Sequence, residues 1–270
     1  MKLIDCFMYF DEDLVLDIRL NTLNDKVDKF IIVEATKNHA GKNKKLNFKI
    51  ENFSKFKSKI KYIVIDDLPL NVESPKKGWH ENHARDQYQR NSIEKGYEEY
   101  SENDLIMISD IDEIPNPKKL DEFNIKNKYA CFLQKNFQSK INLLNVTDDD
   151  WPGTKICQKK YLKSPQWLRN LKVKKKPFWK LLSKNIQVIK DGGWHFSFLK
   201  DPEAIKNKII SYSHQEYNKK EFTSIEYIKE KISSGQDLFK RKINYEKINI
   251  DDSFPEYIVK NKKMFKDWIL

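Results

Sequence analysis

The sequence predicts an α/β fold: a mixed, mostly parallel central sheet flanked by helices, with a smaller antiparallel extension and a helical carboxyl-terminal part. Three observations carry that expectation. The apolar runs at residues 30–33, 62–65 and 105–108 are short and do not alternate with polar residues, as strands covered on both faces require. Each run ends abruptly in acid, at Glu34, at Asp66 and Asp67, and at Asp110, Asp112 and Glu113. A segment of helical spacing between the first runs gives the βαβ rhythm of a parallel sheet.

Taken in order, residues 3–10 are apolar and aromatic and form the first strand. Asp11, Glu12 and Asp13 then offer a helix amino-cap, and Leu16, Leu20, Leu23 and Val27 recur at helical spacing. The second strand, ending at Glu34, gives way to a basic loop with His39, Gly41, Lys42, Lys44 and Lys45, and residues 59–65 supply the third. After a turn-rich connector over residues 69–78, residues 79–100 contain no Gly or Pro before Gly96 and are expected as one helix. Its Glu81–Arg85 and Asp86–Arg90 spacings suit surface ion pairs, yet the helix leads into the fourth strand, where an arginine would also meet a phosphate. Pro115 and Pro117 stop that strand and hold a turn, and residues 118–123 form a short helix.

Beyond residue 126 the rhythm changes. Strand-like segments at 129–137, 140–146, 155–162 and 186–189 follow one another without long helices, which is the pattern of an antiparallel extension. Trp151, Pro152, Gly153, Trp167, Phe178 and Trp179 offer flat apolar faces that either pack in a core or stack on sugar rings. In Asp191-Gly-Gly-Trp-His, two glycines allow a tight backbone just before a histidine framed by aromatics. Asp201, Pro202 and Glu203 start one helix, and Thr223 with Glu226 is a capping box for another that Gly235 ends. Residues 254–270 are amphipathic and basic and read as a docking helix.

At 270 residues the chain can bury one full core, so residues 1–270 are expected as a single domain. A net charge of +11 admits nucleic acid, an anionic membrane or a nucleotide-diphosphate partner, and charge alone does not choose among them. The dense run Lys172, Lys174, Lys175 and Lys176 is either an anion or peripheral membrane site or a reflection of a Lys-rich composition. Cys6, Cys131 and Cys157 are widely spaced and read as buried free thiols in a reducing compartment. No amino-terminal apolar stretch reaches signal or anchor length, giving a cytoplasmic expectation. No Walker loop, Gly-X-Gly-X-X-Gly fingerprint, zinc-spaced Cys/His set or Gly-X-Ser-X-Gly elbow occurs, which removes several enzyme classes.

The most informative stretch is the end of the fourth strand. Ligands of open α/β sheets sit beyond the carboxyl ends of the strands, and there Asp110, Asp112 and Glu113 crowd one loop. Carboxylates that close repel one another, and a hard divalent cation, Mn²⁺ or Mg²⁺, relieves the repulsion with phosphate oxygens and water completing its shell. The pattern is that of an Asp-X-Asp diphosphate site.

Leu3-Ile-Asp-Cys-Phe-Met-Tyr-Phe, Phe30-Ile-Ile-Val-Glu-Ala, His39-Ala-Gly-Lys, Glu81-Asn-His-Ala-Arg-Asp-Gln-Tyr-Gln-Arg-Asn, Ser109-Asp-Ile-Asp-Glu-Ile-Pro and Gly193-Trp-His-Phe-Ser-Phe together resemble glycosyltransferase family 17, whose best-known members are β-1,4-mannosyl-glycoprotein β-1,4-N-acetylglucosaminyltransferases. The resemblance runs from about residue 3 to about residue 200 and thins after Pro202. It implies a GT-A type fold and inverting, metal-dependent transfer from a UDP-sugar, with UDP-N-acetylglucosamine the first choice. It also implies a division into a nucleotide-sugar-binding half (1–125), an acceptor-side half (126–200) and a helical part (201–270). The animal enzymes' membrane anchor does not occur in this sequence, so the expected acceptor is a glycan, glycolipid or glycoprotein that need not lie in a secretory lumen. Nucleic acid is not an expected partner.

Within that reading Asp112, supported by Asp110, is the expected metal ligand, and Asp110 or Glu113 would otherwise touch ribose or donor sugar. Glu34 and His39, with Lys44, are placed for the nucleoside, and Arg85, with Asp86, for the phosphates. Trp194 belongs with the substrate-binding group, and His195 would give a nitrogen to the metal or a hydrogen bond to the diphosphate. Asp191 is the expected catalytic base, with Glu113 its rival. A metal-dependent phosphohydrolase or a basic nucleic-acid binder are the alternatives from other classes.

Overall fold

The computed structural model describes residues 1–69, 81–147, 150–173, 186–211 and 215–270. β1 (Leu3–Met8) lies between β2 (Lys29–Ala35) and β4 (Leu105–Ser109), parallel to both, and β3 (Ile60–Ile65) continues beyond β2. The chain leaves β1 toward β2 on one side and returns to β4 on the other. That divergence opens a crevice at the carboxyl ends of β1 and β4, where open α/β sheets bind ligands.

The runs at 30–33 and 105–108 are buried on both faces as expected, whereas the run at 62–65 forms the edge strand β3, where Val64 is exposed. Phe30 and Ile32 join Leu16, Leu20 and Leu23 of α1 (Asp13–Leu23), while Ile31 and Val33 join Ile93 and Tyr97 across the sheet. Each such side chain taken fully out of water contributes about 1.5–3 kcal/mol. Cys6, Cys131 and Cys157 are buried free thiols. No helix among the described residues is long and apolar enough to cross a membrane.

The second half is the antiparallel extension. β8 (Trp151–Gln158) runs antiparallel to both β4 and β6 (Tyr129–Gln138), making one eleven-stranded mixed sheet with helices on its faces. The long β6 also carries β9 (Ile186–Ile189) and β10 (Gly193–Ser197) parallel to it, and β7 (Leu143–Asn145), extended by β11 (Tyr245–Lys247), antiparallel. The three-residue β5 (Glu113–Pro115) pairs with β10, placing Glu113 opposite His195. At Gly193, with φ +142°, a Cβ would come within 2.1 Å of the Ile114 carbonyl oxygen, so this close pairing requires glycine.

Several expected elements differ. The single helix over 79–100 is α2 (Glu81–Asn91) followed by α3 (Glu94–Tyr97). The Ser92 hydroxyl donates to the Tyr88 carbonyl, and the Ile93, Lys95 and Gly96 amides bond three residues back, tightening the chain between the two helices. Pro115 lies inside β5 rather than in a turn, and residues 117–122 form a 3₁₀ segment capped by Asn116. After α4 (Pro165–Arg169), α5 (Pro202–Ser211) is capped by Asp201 as expected. α6 (Ile225–Ser234) is capped by Ser224 rather than Thr223, and it ends at Gly235 in the left-handed conformation. The tail docks without forming one helix. Phe254, Ile258 and Phe265 are buried around α7 (Glu256–Lys260), which stops where the Asn261 side chain turns back to the Tyr257 carbonyl. Residues 70–78, Trp79, Lys174, Lys175, Lys176, Phe178 and Trp179 lie outside the described residues.

Candidate active site

The Asp-X-Asp loop is shaped from beneath by a buried cation. Arg19 of α1, with no exposed surface, pairs with Asp5 of β1 at 2.6 Å and donates through Nη1 to the carbonyls of Asp110, Ile111 and Glu113 at 2.9–3.1 Å. Its Nη2 also reaches the Ser109 hydroxyl. Buried carbonyls of an irregular loop need donors, and the two Nη1 hydrogens of one guanidinium are shared among three such carbonyls. Sequence reasoning missed Arg19.

On that frame Glu113 is a brace. It is fully buried, accepting from the Asp110 amide at 3.1 Å, the Trp151 indole at 2.7 Å and Arg169 at 2.5 Å. Expected as a rival base or a sugar contact, Glu113 instead braces the loop and is absent from the lining of the cavity that holds Asp110 and Asp112. Asp110 receives Arg90 Nη1 at 2.5 Å on one oxygen and Arg169 Nη2 at 3.1 Å on the other. Burial pushes its carboxyl upward, but the two guanidiniums more than offset this and hold it well below the usual carboxylate range. Each Asp110 oxygen thus faces a guanidinium while the carboxyl still lines the cavity it shares with Asp112.

Asp112 has a different environment. Its Oδ1 faces His195 Nε2 across 3.7 Å and its Oδ2 faces Lys208 Nζ, from α5, across 3.4 Å. His195 is set there by β10: the Phe196 amide donates to the Asp112 carbonyl, the imidazole stacks on Trp151 at 4.6 Å, and its buried Nδ1 has no hydrogen-bond partner among the described residues. Among the described residues, no three His, Cys, Asp or Glu side chains form a group able to hold a metal. The pair Asp112 and His195 fits a cation that takes its remaining ligands from phosphate and water, as Mg²⁺ and Mn²⁺ do.

These groups line one cavity of about 530 Å³ together with Met8, Tyr9 and Phe10 from the end of β1, His39, Lys44, Asp86 and Arg90. His39 Nε2 lies 2.9 Å from Gln89 Oε1, and its Nδ1 is 3.8 Å from Asp86. Glu12 lines the cavity too, accepting the Phe10 and Asp11 amides rather than capping α1, and it stands 3.4 Å from Lys200 and 3.8 Å from Lys208.

Two expected residues support this wall without joining it. Arg85 is buried, donating to the carbonyls of Pro69 and His39 and pairing with Glu81, so the helix–surface pair forms and the arginine of α2 that lines the cavity is Arg90. Fully buried Glu34 pins the basic loop by accepting from Lys44, the Asn47 and Phe48 amides and the Tyr62 hydroxyl.

Asp191 and Trp194 are placed elsewhere. Both line a second cavity, of about 1120 Å³, between α1 and the tail, and Trp194 donates to the Ser253 carbonyl. Successive residues of a strand face opposite ways, so Trp194 turns to the tail where His195 turns to the crevice, and exposed Asp191 lies in the turn before β10. Neither Asp191, the expected base, nor Trp194, the expected substrate contact, lines the cavity that holds Asp112. Arg169, Lys200 and Lys208 were not singled out from sequence. Lys208 lies beyond the point where recognisable motifs end, and nothing local marks it.

The family model described as Glycosyltransferase family 17 matches residues 1–248. No curated protein matches the chain.

Proposed function

The chain belongs to glycosyltransferase family 17, and from that premise we propose that it is an inverting, cation-dependent enzyme of GT-A type that moves N-acetylglucosamine from its UDP derivative to a glycan acceptor. The observation that carries the reading is the convergence of Asp112, His195, Arg90 and Lys208 on one cavity at the carboxyl ends of β1 and β4. A nucleoside beside Tyr9, Phe10, His39 and Lys44 would leave its diphosphate over Asp112 and Arg90. Asp112 and His195 would hold the divalent cation, which when bound neutralises charge on the departing diphosphate.

The chain's own residues do the rest. Arg90 is held in place by Asp86 and Asp110, and Lys208 by Asp112 and Glu12; both offer the diphosphate N–H donors already oriented toward the cavity. In the displacement the acceptor oxygen bonds to the anomeric carbon as the bond to the diphosphate breaks, and the hydroxyl proton passes to a base. The cavity carboxylates Glu12, Asp86, Asp110 and Asp112 each face a cationic partner or a histidine. We assign the base to one of the carboxylates that line the cavity, a set that Glu216 of the carboxyl-terminal part completes.

Release of UDP from a panel of UDP-sugars, with Mn²⁺ and mixed glycan acceptors, tests the reading. Acceptor-stimulated release from UDP-N-acetylglucosamine is expected. Acceptor-independent hydrolysis together with cleavage of simple phosphate esters would argue for a phosphohydrolase instead.

A further inference from the structure

The far wall of the cavity is built by the carboxyl-terminal part and is aromatic. Lys208 Nζ, beside Asp112, also lies 5.2 Å above the ring of Phe198; Phe198 meets Phe239 edge-on at 5.4 Å, and Phe239 lies against Tyr217 at 4.3 Å. All three rings line the cavity, so one continuous wall leads from the ionic centre to Tyr217. Phe198 holds φ +54°, a conformation that bulky residues adopt only when their surroundings impose it.

Arg241 completes this wall. Its guanidinium stands 5.3 Å over Phe239, pairs with Asp237 at 2.6 Å and donates to Gln138 at 3.1 Å. The Tyr245 hydroxyl donates to the same Gln138 oxygen. Asp237 and Gln138 are only 6% and 3% exposed. Buried polar groups are thus committed to orienting one arginine, whose Nη1 makes no hydrogen bond among the described residues. Because Asp237 cancels its charge, this arginine offers donors to hydroxyls rather than a site for an anion. Flat rings beside neutralised hydrogen-bond donors match a sugar, which has apolar C–H faces and a hydroxyl rim.

We infer that Tyr217, Phe239 and Arg241 form the acceptor subsite, and that it takes an uncharged pyranose ring; the inference rests on the glycosyltransferase reading for the word acceptor, but not for the sugar. Saturation-transfer NMR with methyl β-D-glucopyranoside, methyl α-D-mannopyranoside and methyl β-D-glucuronide, with and without UDP and Mg²⁺, tests it on the whole chain. The uncharged glycosides should receive saturation, strongest on their ring C–H faces, and the glucuronide less. Tyr217→Leu and Arg241→Gln should each lower the transfer about threefold or more, Tyr217→Phe should restore it, and UDP affinity should stay within about twofold throughout. Equal transfer in parent, Tyr217→Leu and Arg241→Gln, preference for the glucuronide, or no transfer from any glycoside would overturn the subsite. Failure of UDP to bind the parent while glycoside signals still depend on Tyr217 would sink the donor assignment and leave the sugar subsite standing.

Discussion

Arg19 and Asp5 form a bidentate pair, at 2.7 and 2.6 Å, with neither side chain exposed. A buried ion pair is rarely retained for stability, since well-packed apolar residues of similar volume often do as well or better. What apolar residues would not supply is the set of donors that Arg19 extends to the carbonyls of residues 110, 111 and 113. The pair is therefore best understood as holding the Asp-X-Asp loop in shape, with Asp5 making the buried charge tolerable.

Arg19→Met alone strands Asp5 and should destabilise the fold by about 3–5 kcal/mol. The double variant Asp5→Leu with Arg19→Met should recover much of the melting temperature but still bind UDP at least about tenfold more weakly than the parent. Thermal melts paired with titration calorimetry separate the two effects. Recovery of parent-like UDP affinity in the double variant would reduce Arg19 to a packing role.

Arg90 and Arg85 should divide along the line drawn by their surroundings. Arg90→Gln removes the cavity cation that pairs with Asp110, so its main loss should be UDP affinity, by about 1.5–3 kcal/mol. Arg85→Gln unties the Pro69 and His39 carbonyls and should act mainly on the melting temperature. The reverse ranking in calorimetry would return the phosphate contact to Arg85.

Glu12 gives the site an acid limit. Burial raises its carboxyl, but Lys200, Lys208 and the Phe10 and Asp11 amides outweigh that and hold it down to about 2, against 4.5 when free. A carboxyl depressed in the folded state adds stability that is complete above the unfolded value and is lost as pH falls through the folded one. The parent should therefore lose up to about 3 kcal/mol between about pH 4.5 and pH 2 through this group, and Glu12→Gln should flatten that part of the profile. Urea unfolding at several pH values reads the slope directly, and identical slopes in the two proteins would contradict the assignment.

The alternation of helices with doubly buried strands was legible because an uninterrupted apolar run ending in acid has few other meanings. The crevice was legible at Asp110 and Asp112 for the same reason. Arg19 could have been found: it shares the helical stripe of Leu16, Leu20 and Leu23, and a charge on a core stripe asks for a partner such as Asp5 in the middle of β1. Choosing Arg90 over Arg85 depends on how α2 rolls against the sheet, which a spacing of four does not specify. The fate of Asp191 depended on the register of β10 with β5, a pairing across about eighty residues that no local pattern announces. Lys208, Tyr217 and Arg241 enter through tertiary folding of the carboxyl-terminal part, where the sequence offers caps but no recognisable motif.

On the proposed function, UDP binds over Asp112 through a divalent cation. Titration calorimetry of UDP with and without Mn²⁺, on the parent, Asp112→Asn and Asp191→Asn, tests it most directly. The parent should bind UDP only with Mn²⁺, Asp112→Asn should lose this binding, and Asp191→Asn should keep it. Binding of UDP and Mn²⁺ by Asp112→Asn at the parent's affinity would contradict it.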